Sequence, residues 1–379
     1  MVLRPAMPRK SRTASPQVHV SLRLARIFRN QFFAESIARK NFKPSSTEKE
    51  LSLYHERMKT ITLEEHVLTP EILEATASTR KSGDSHVYMQ PLLGKLCDFG
   101  EGRLADMDAA GISVQVFSPS AAGLELLDAS TATALVKDTN DKLAAAVKAH
   151  PTRFAAFATL ALQNPESAAA EFERCIRRLG FKGALINGMS GGLFLDDKKF
   201  TPIFEAAQSL DVPIYLHPGV PPKPVREIYY ASLPGQLGYV LSTAGFGWHA
   251  ETAVHCLRLI LSGVFDRFPN LKIIIGHMGE GLPFSMARSD AILSAGAKHL
   301  KQRVADYFHQ NFYITTSGFF TVPPFLCALE IVGADRLLFS VDYPFSPNTQ
   351  GRDFLNILPV SPADMEKIAH LNAEKLLKL

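Results

Sequence analysis

The chain has 379 residues, 46% hydrophobic and 21% charged, with a formal net charge of +4. That composition builds a large soluble core and excludes a disordered or collagen-like chain, and so small a charge gives no ground for nucleic acid as a partner. No apolar run reaches the ~18 residues a membrane span needs, and Cys97, Cys175, Cys256 and Cys327, more than 70 residues apart and without a CxxC, exclude a disulfide framework or a zinc knuckle in favour of buried reduced thiols.

The charge is unevenly placed. Residues 1–57 carry 12 Lys/Arg against 4 Asp/Glu, a balance of +8, while the remainder carries 29 against 33, a balance of −4. Residues 1–34 hold seven basic residues, no acidic one, and Ser11, Ser15 and Ser21, which is the composition of a mitochondrial transit peptide. It also suits a disordered tail or an extension upstream of a start at Met58, and these are preferred, with mitochondrial import as the minority reading. The expected organisation is a basic extension over 1–57 and a catalytic body over 58–379. Reduced thiols fit a cytoplasmic, reducing setting.

From Met58 onward, short β-rich runs alternate with helical patterns. The runs are 60–64, 114–119, 154–160, 183–188, 213–219, 271–279, 312–318 and 337–345. The intervening helices include 131–149, "PESAAAEFERCIRRLG", "AETAVHCLRLILSGVFDRF", a stretch from Pro283 to about His309, and "VPPFLCALEIVG", with stops at Gly180, Gly263 and Gly333. Short apolar strands alternating with amphipathic helices imply parallel pairing with both sheet faces covered. Eight such units predict an α/β fold, a (β/α)8 TIM-like barrel with its main insertion, 67–100, after strand one. A doubly wound open sheet is the alternative, but no GxGxxG follows the first strand.

In a barrel of this kind catalytic groups stand at the C-terminal ends of strands. Those ends hold Glu64 and His66 (run one), His217 (run five), His277 (run six) and Asp342 (run eight). Strand alternation puts Glu64 and His66 on one face and turns Glu65 toward the helix layer. With His217 and Asp342 they make two carboxylates and two imidazoles, a donor set suited to one divalent ion, Zn²⁺ or Mn²⁺. Singly, each has an ordinary structural explanation, such as Asp342 holding a turn before Tyr-Pro. Four separate strand ends supplying ligand types together are harder to explain that way.

With these residues in view, the sequence resembles the amidohydrolase superfamily. Within it, the similarity is to the branch of 2,3-dihydroxybenzoate, γ-resorcylate (2,6-dihydroxybenzoate) and salicylic acid decarboxylases, and more distantly to aminocarboxymuconate-semialdehyde decarboxylase. The carrying stretches are "ITLEEH", "GALINGMS", "YLHPG", "ETAVHCLRLILSGVFDRFPNLKIIIGHMGEGLPF" and "FSVDYPF". The superfamily opens with His-x-His; here Glu64 takes the first position, as in the dihydroxybenzoate branch. Asn187 stands where two-metal hydrolases carry a bridging Lys. The resemblance thus implies one metal on Glu64, His66, His217 and Asp342, functional roles for His277 and Glu280, a substrate-side Arg288, and a homodimer or homotetramer.

The chemistry implied is non-oxidative loss of CO2 from a small aromatic carboxylic acid. Direct loss would leave an unstable aryl carbanion, so the ring carbon bearing the carboxylate is protonated first. The branch implies Asp342 as proton donor, with His277 the competing donor and Glu280 able to fix its tautomer. Phe246, Phe319 and Phe345, with Trp248 and Tyr343, are candidates for lining a pocket for a flat ring, and Asn187 for contacting the substrate. The rival readings are a metal-assisted lactone or amide hydrolase, disfavoured because an anionic Glu64 makes the ion a poorer Lewis acid, and a non-catalytic barrel.

Overall fold

The computed structural model describes residues 58–77, 89–120 and 123–379; the basic extension expected over 1–57 lies outside them. Eight strands occur among the described residues: β1 (Ile61–Val67), β2 (Val114–Pro119), β3 (Phe154–Ala156), β4 (Ala184–Asn187), β5 (Ile214–His217), β6 (Ile273–Ile275), β7 (Phe312–Thr315) and β8 (Leu337–Leu338). They pair in two groups, β1-β2-β3 and β4-β5-β6-β7-β8, and every pairing is parallel. An isolated parallel bridge between Ala158 and Ala184 follows β3 and meets β4. Each run expected to be a strand overlaps one, and β1 extends past the first run to Val67. The last is two residues rather than nine, because beyond Leu338 the chain is held by side chains: the Ser340 N–H donates to Thr316 Oγ1 (3.0 Å) and the Val341 N–H to Glu65 (3.1 Å).

Inward-facing residues of the strands form one apolar cluster that includes Ile61, Leu63, Val116, Phe157, Leu185, Tyr215, Ile274 and Leu338, with Leu376 and Leu377 of the C-terminal segment packed against it. Strict alternation would put Leu63 and Glu64 on opposite faces. The pairing of β1 with β2 instead slips between Thr62 and Glu65, where three steps of β1 span the two from Gln115 to Phe117. Such a bulge re-aims side chains. Ile61 and Leu63 join the core, Glu64 and His66 enter the same interior, and Glu65 is turned out to meet Gln115 Nε2 at 3.4 Å.

The helices follow their local signals. Pro165–Leu179 begins with Asn164 accepting from the Ser167 N–H, has Pro at its first position, and ends on Gly180 at φ 75°. It buries Ala168, Phe172 and Cys175 along one stripe. Two long helical patterns are each divided: Gly247–Leu261 is followed by Val264–Arg267 across Gly263, and Leu282–Gly296 is separate from Val304–Asn311. The sequence also concealed a second insertion. Between β5 and the helix Gly247–Leu261 the chain runs through short helical pieces at Lys223–Val225, Arg226–Tyr230 and Leu237–Ser242. All four cysteines are free thiols, and no helix among the described residues is long and apolar enough to cross a membrane.

One buried imidazole outside the strand ends sets an acid limit on stability. His255, 1% exposed, accepts the Leu195 N–H at 2.9 Å through Nε2 and packs edge-on against Phe194. Burial, assisted by the charge of Arg258, pushes its pKa down to about 3. Below an unfolded value of ~6.5 the unfolded chain takes up a proton that the folded chain refuses, so stability falls as pH drops from ~6.5 toward 3. Between pH 7 and pH 5 the loss is ~2 kcal/mol from this group. Urea unfolding of His255→Gln, whose amide oxygen can still accept from Leu195, is expected to show an acid slope flatter by that amount; parallel slopes would contradict it.

Candidate metal centre

The C-terminal ends of β1, β5, β6 and β8 converge on one buried cluster. His66 pairs in register with Ser118, and its Nδ1 lies 3.2 Å from the Ser118 carbonyl. Donating there leaves the Nε2 lone pair facing inward. His217 lies beside Asn187 of β4; its Nδ1 is 2.9 Å from the Pro218 carbonyl and 2.8 Å from the Asn187 amide. Its Nε2 also points inward, 3.2 Å from Glu64 Oε1. The imidazoles of His66 and His217 meet edge to face at 4.8 Å.

Glu64 has two unlike oxygens. Oε2 accepts the hydroxyls of Tyr215 and Ser317, with Thr315 Oγ1 at 3.4 Å. Oε1 is buried and receives no hydrogen bond. A buried carboxylate oxygen without a donor is costly and asks for a partner. Ligands about 2.1 Å from one cation sit about 3.0–3.4 Å from each other. The Glu64–His217 separation is 3.2 Å, and His66 Nε2 to Asp342 Oδ1 is also 3.2 Å. Glu64, His66 and His217 each offer an atom within 4.8 Å of the others, which suits one divalent ion, and Asp342 stands beside His66 and shares a second such group with Glu64 and His277. Only glycine fits at 276, where a Cβ would come within 2.6 Å of Glu64 Oε2.

Burial would raise the Glu64 pKa, but the positive charge of His277, the largest opposing influence, holds it well below the ordinary carboxylate range. Asp342 goes the other way: burial and the negative charge of Glu64 push it up to about 8. Burial brings His66 down to about 4, so it is neutral. Its Nε2 lone pair and Asp342 Oδ1 approach closely only with a proton or a cation between them. His277 stands one step further out, its Nε2 3.7 Å from Glu64 Oε1 and 3.9 Å from Asp342 Oδ2. Burial opposes its protonation, yet the charges of Glu64 and Glu280 bring its pKa up to about 10. His277 (φ 50°), Met278 (55°), Glu280 (56°) and Asp342 (73°) are all in left-handed backbone, a cost of order 1 kcal/mol or more each that surrounding contacts must hold.

The cluster thus brings together Glu64, His66, His217, His277 and Asp342, with Glu280 behind His277 (2.8 Å) and Asn187 behind His217. Phe345 stands edge-on to His66 at 5.4 Å, Phe319 lies 6.0 Å from His277, and Trp248 6.4 Å from His217. Two residues expected to contact substrate are exposed. Phe246 is 59% exposed just before the helix Gly247–Leu261, whose rise turns Trp248 and His249 inward instead. Arg288 is exposed, two turns along Leu282–Gly296 and away from the buried cluster. Tyr343 is committed to Asp106 through its hydroxyl (2.6 Å). Sequence reasoning missed Tyr215 on β5, Thr315 at the end of β7 and Ser317 two residues beyond it; alternation along those runs could have found them. It also missed His249, which no strand-end rule reaches. Beside Asn187 a small cleft is lined by Leu124, Leu160, Leu162, Ile186 and Met189 among others.

These features are those of a metal-centred α/β enzyme, and the chain belongs to the amidohydrolase family, whose model matches residues 84–379. Among its relatives is the γ-resorcylate decarboxylase of a Polaromonas species, 42% identical over 330 residues, covering 84% of this chain and 98% of that one. A solved structure of 2,6-dihydroxybenzoate decarboxylase complexed with 2,6-dihydroxybenzoate is 39% identical, superposes with a TM-score of 0.77, and covers 85% of this chain and 100% of that one. A dihydroxybenzoic acid decarboxylase from Polaromonas with bound manganese and the inhibitor 2-nitroresorcinol is 40% identical with a TM-score of 0.77, covering 85% and 97%.

Proposed function

We propose that the chain is a metal-dependent, non-oxidative decarboxylase of a hydroxylated benzoate of the 2,6-dihydroxybenzoate, 2,3-dihydroxybenzoate or salicylate type. The observation that carries this reading is Glu64 Oε1, buried, without a donor, and facing His217 Nε2, with Asp342 Oδ1 3.2 Å from His66 Nε2 in the same cluster. The relatives' substrates and bound manganese support it. Zn²⁺ and Mn²⁺ both suit the mixed N/O donors.

An ion held by Glu64, His66, His217 and Asp342 would supply positive charge to bind and polarise an anionic aromatic substrate. The remaining work belongs to side chains. Asp342 gives its proton to the ring carbon bearing the carboxylate; a C–H bond forms, the C–C bond to the carboxylate breaks, its electron pair returns to the ring, and CO2 leaves. His277, with Glu280 on its far nitrogen, has Nε2 3.9 Å from Asp342 Oδ2 and is placed to pass a proton to it through one bridging water. Phe345, Phe319 and Trp248 present apolar edges for a flat ring and exclude water.

The finer architecture belongs to the same reading: a closed (β/α)8 barrel, supported by the Ala158–Ala184 bridge and by the bond from the His66 N–H to the Tyr343 carbonyl (2.6 Å) linking β1 to the segment after β8. A homodimer or homotetramer is proposed too. Ile228, Tyr229 and Phe284, at 77%, 72% and 89% exposure, are apolar surface that self-association would cover. The cytoplasm is the proposed location, in keeping with the free thiols. Purified protein loaded with Mn²⁺ or Zn²⁺ is expected to release CO2 from at least one of these benzoates, and a chain starting at Met58 is expected to match the full chain. Cleavage of lactones, esters or amides alone would overturn the assignment.

A further inference from the structure

We infer that His249 is a positioning residue for the His277–Glu280 pair, a step that rests on the decarboxylase reading for its kinetic consequence but not for its geometry. Glu280 is completely buried at its side chain and lies between two imidazoles. His277 Nδ1 approaches Oε1 at 2.8 Å, and His249 Nδ1 approaches Oε2 at 2.5 Å. Each carboxylate oxygen is thus taken by one N–H. These three side chains could be imagined as ligands of a second ion, but separations of 2.5 and 2.8 Å between their atoms are hydrogen-bond distances that leave no room for a metal between them.

His249 comes from another part of the chain. It sits on the third residue of the helix Gly247–Leu261, directly after the insertion that follows β5, whereas Glu280 and His277 share the left-handed loop after β6. That loop has little of its own to fix the carboxylate. With all four residues from 277 to 280 at positive φ, its conformation depends on partners outside it. His249 is one such partner, and its ring is itself held edge-on by Phe319 at 5.3 Å and by His277 at 5.1 Å.

The consequence is a fixed tautomer. Donation from His249 keeps Oε2 occupied and Glu280 ionised, so Oε1 remains an acceptor aimed at His277 Nδ1. His277 must then keep its proton on Nδ1, and any proton it exchanges passes through Nε2, the nitrogen that faces Asp342 and Glu64. Without His249, Oε2 is a buried acceptor with no donor, and the carboxylate is free to rotate or take up a proton itself. His249 does this without touching any of the four proposed metal ligands by hydrogen bond, so its removal separates proton handling from ion binding.

The test compares His249→Phe, which keeps an aromatic ring and loses the donor, with His249→Asn, whose side-chain N–H takes the place of Nδ1–H. The Phe variant is expected to lose ~10–100-fold in kcat with KM within about threefold and metal content unchanged; the Asn variant is expected to recover most of kcat. A second readout does not depend on activity. In imidazole ¹⁵N spectra of the metal-free full chain, the neutral form of His277, identified by its absence in His277→Gln, should carry its proton on Nδ1 in the wild type and in His249→Asn. Wild-type kcat in His249→Phe overturns the inference, and so does an Asn variant as impaired as Phe, a kcat loss traced to lost metal, or an unchanged His277 tautomer in the Phe variant. Should the Phe variant not fold, His249→Asn and wild type still decide it, since loss of the Nδ1–H signature or of kcat in a folded Asn variant overturns it. A wild type that releases no CO2 from any benzoate defeats the decarboxylase assignment alone; the tautomer measurement still judges His249.

Discussion

Asp342→Asn is expected to lower kcat for hydroxybenzoate decarboxylation by about 10³-fold, ~4 kcal/mol of barrier, while the protein stays folded. The reason is that the two roles of this side chain separate in the variant. An Asn amide can sit where the protonated carboxyl sits and donate to His66 Nε2, 3.2 Å away, so the imidazole keeps its orientation. Its carbonyl remains a possible, weaker ligand. What it lacks is a transferable proton. In the metal-free cluster, burial and the charge of Glu64 push the Asp342 pKa up to about 8, and no such lever acts on an amide. CO2 release should be measured with metal content on one preparation, because a loss explained by missing ion tests ligation and not proton delivery. A metal-loaded variant with near-wild-type turnover would falsify the assignment of Asp342 as donor.

The second large effect is on ion binding. Glu64→Gln is expected to lower metal affinity by more than the ~10–100-fold typical of losing a ligand's supporting partner, because here the ligand's own charge goes. The geometry makes the loss severe. Tyr215 and Ser317 both donate to Oε2, so the amide must place its oxygen there and turn its NH2 inward. That NH2 then faces His217 Nε2, 3.2 Å from the present Oε1, and donates into the lone pair that the ion would use. One substitution thus removes a negative ligand and blocks a neutral one. The same contact satisfies a buried atom that now has no donor, so the metal-free variant is expected to melt no lower than metal-free wild type. Elemental analysis after loading checks the first half and thermal unfolding in chelator the second; stoichiometric metal in Glu64→Gln would mean that the cluster is held together differently.

Much of this was legible in the sequence because strands and helices were written in strong local patterns. Apolar runs gave every strand, and Gly180 stopped its helix as its left-handed conformation permits. The ligand types could be read from strand ends, since four of them carry donors there and alternation links Glu64 to His66. Three things were not legible. The bulge between Thr62 and Glu65 depends on how β1 meets β2, not on β1 alone; the pairing of Glu64 with His66 was right, but the reason that Leu63 joins them inside was hidden. The pieces between Lys223 and Ser242 are too short to show a helical period. Phe246 and Arg288 were chosen by chemical type, whereas helix phase decides which of two neighbouring aromatics turns inward, and it favours Trp248.

The tandem acids of β1 have one more implication. Glu64 looks into the interior, while Glu65, on the opposite face, receives the N–H groups of Val341 and Tyr343, which bracket Asp342. A single peptide unit therefore acts as a ruler between the ion-holding and the proton-giving halves of the centre. Anyone diversifying this protein toward bulkier rings would find position 65 inviting, since it touches nothing in the mouth. Changing it would reset the gauge of the whole centre, and room is better sought in the loops.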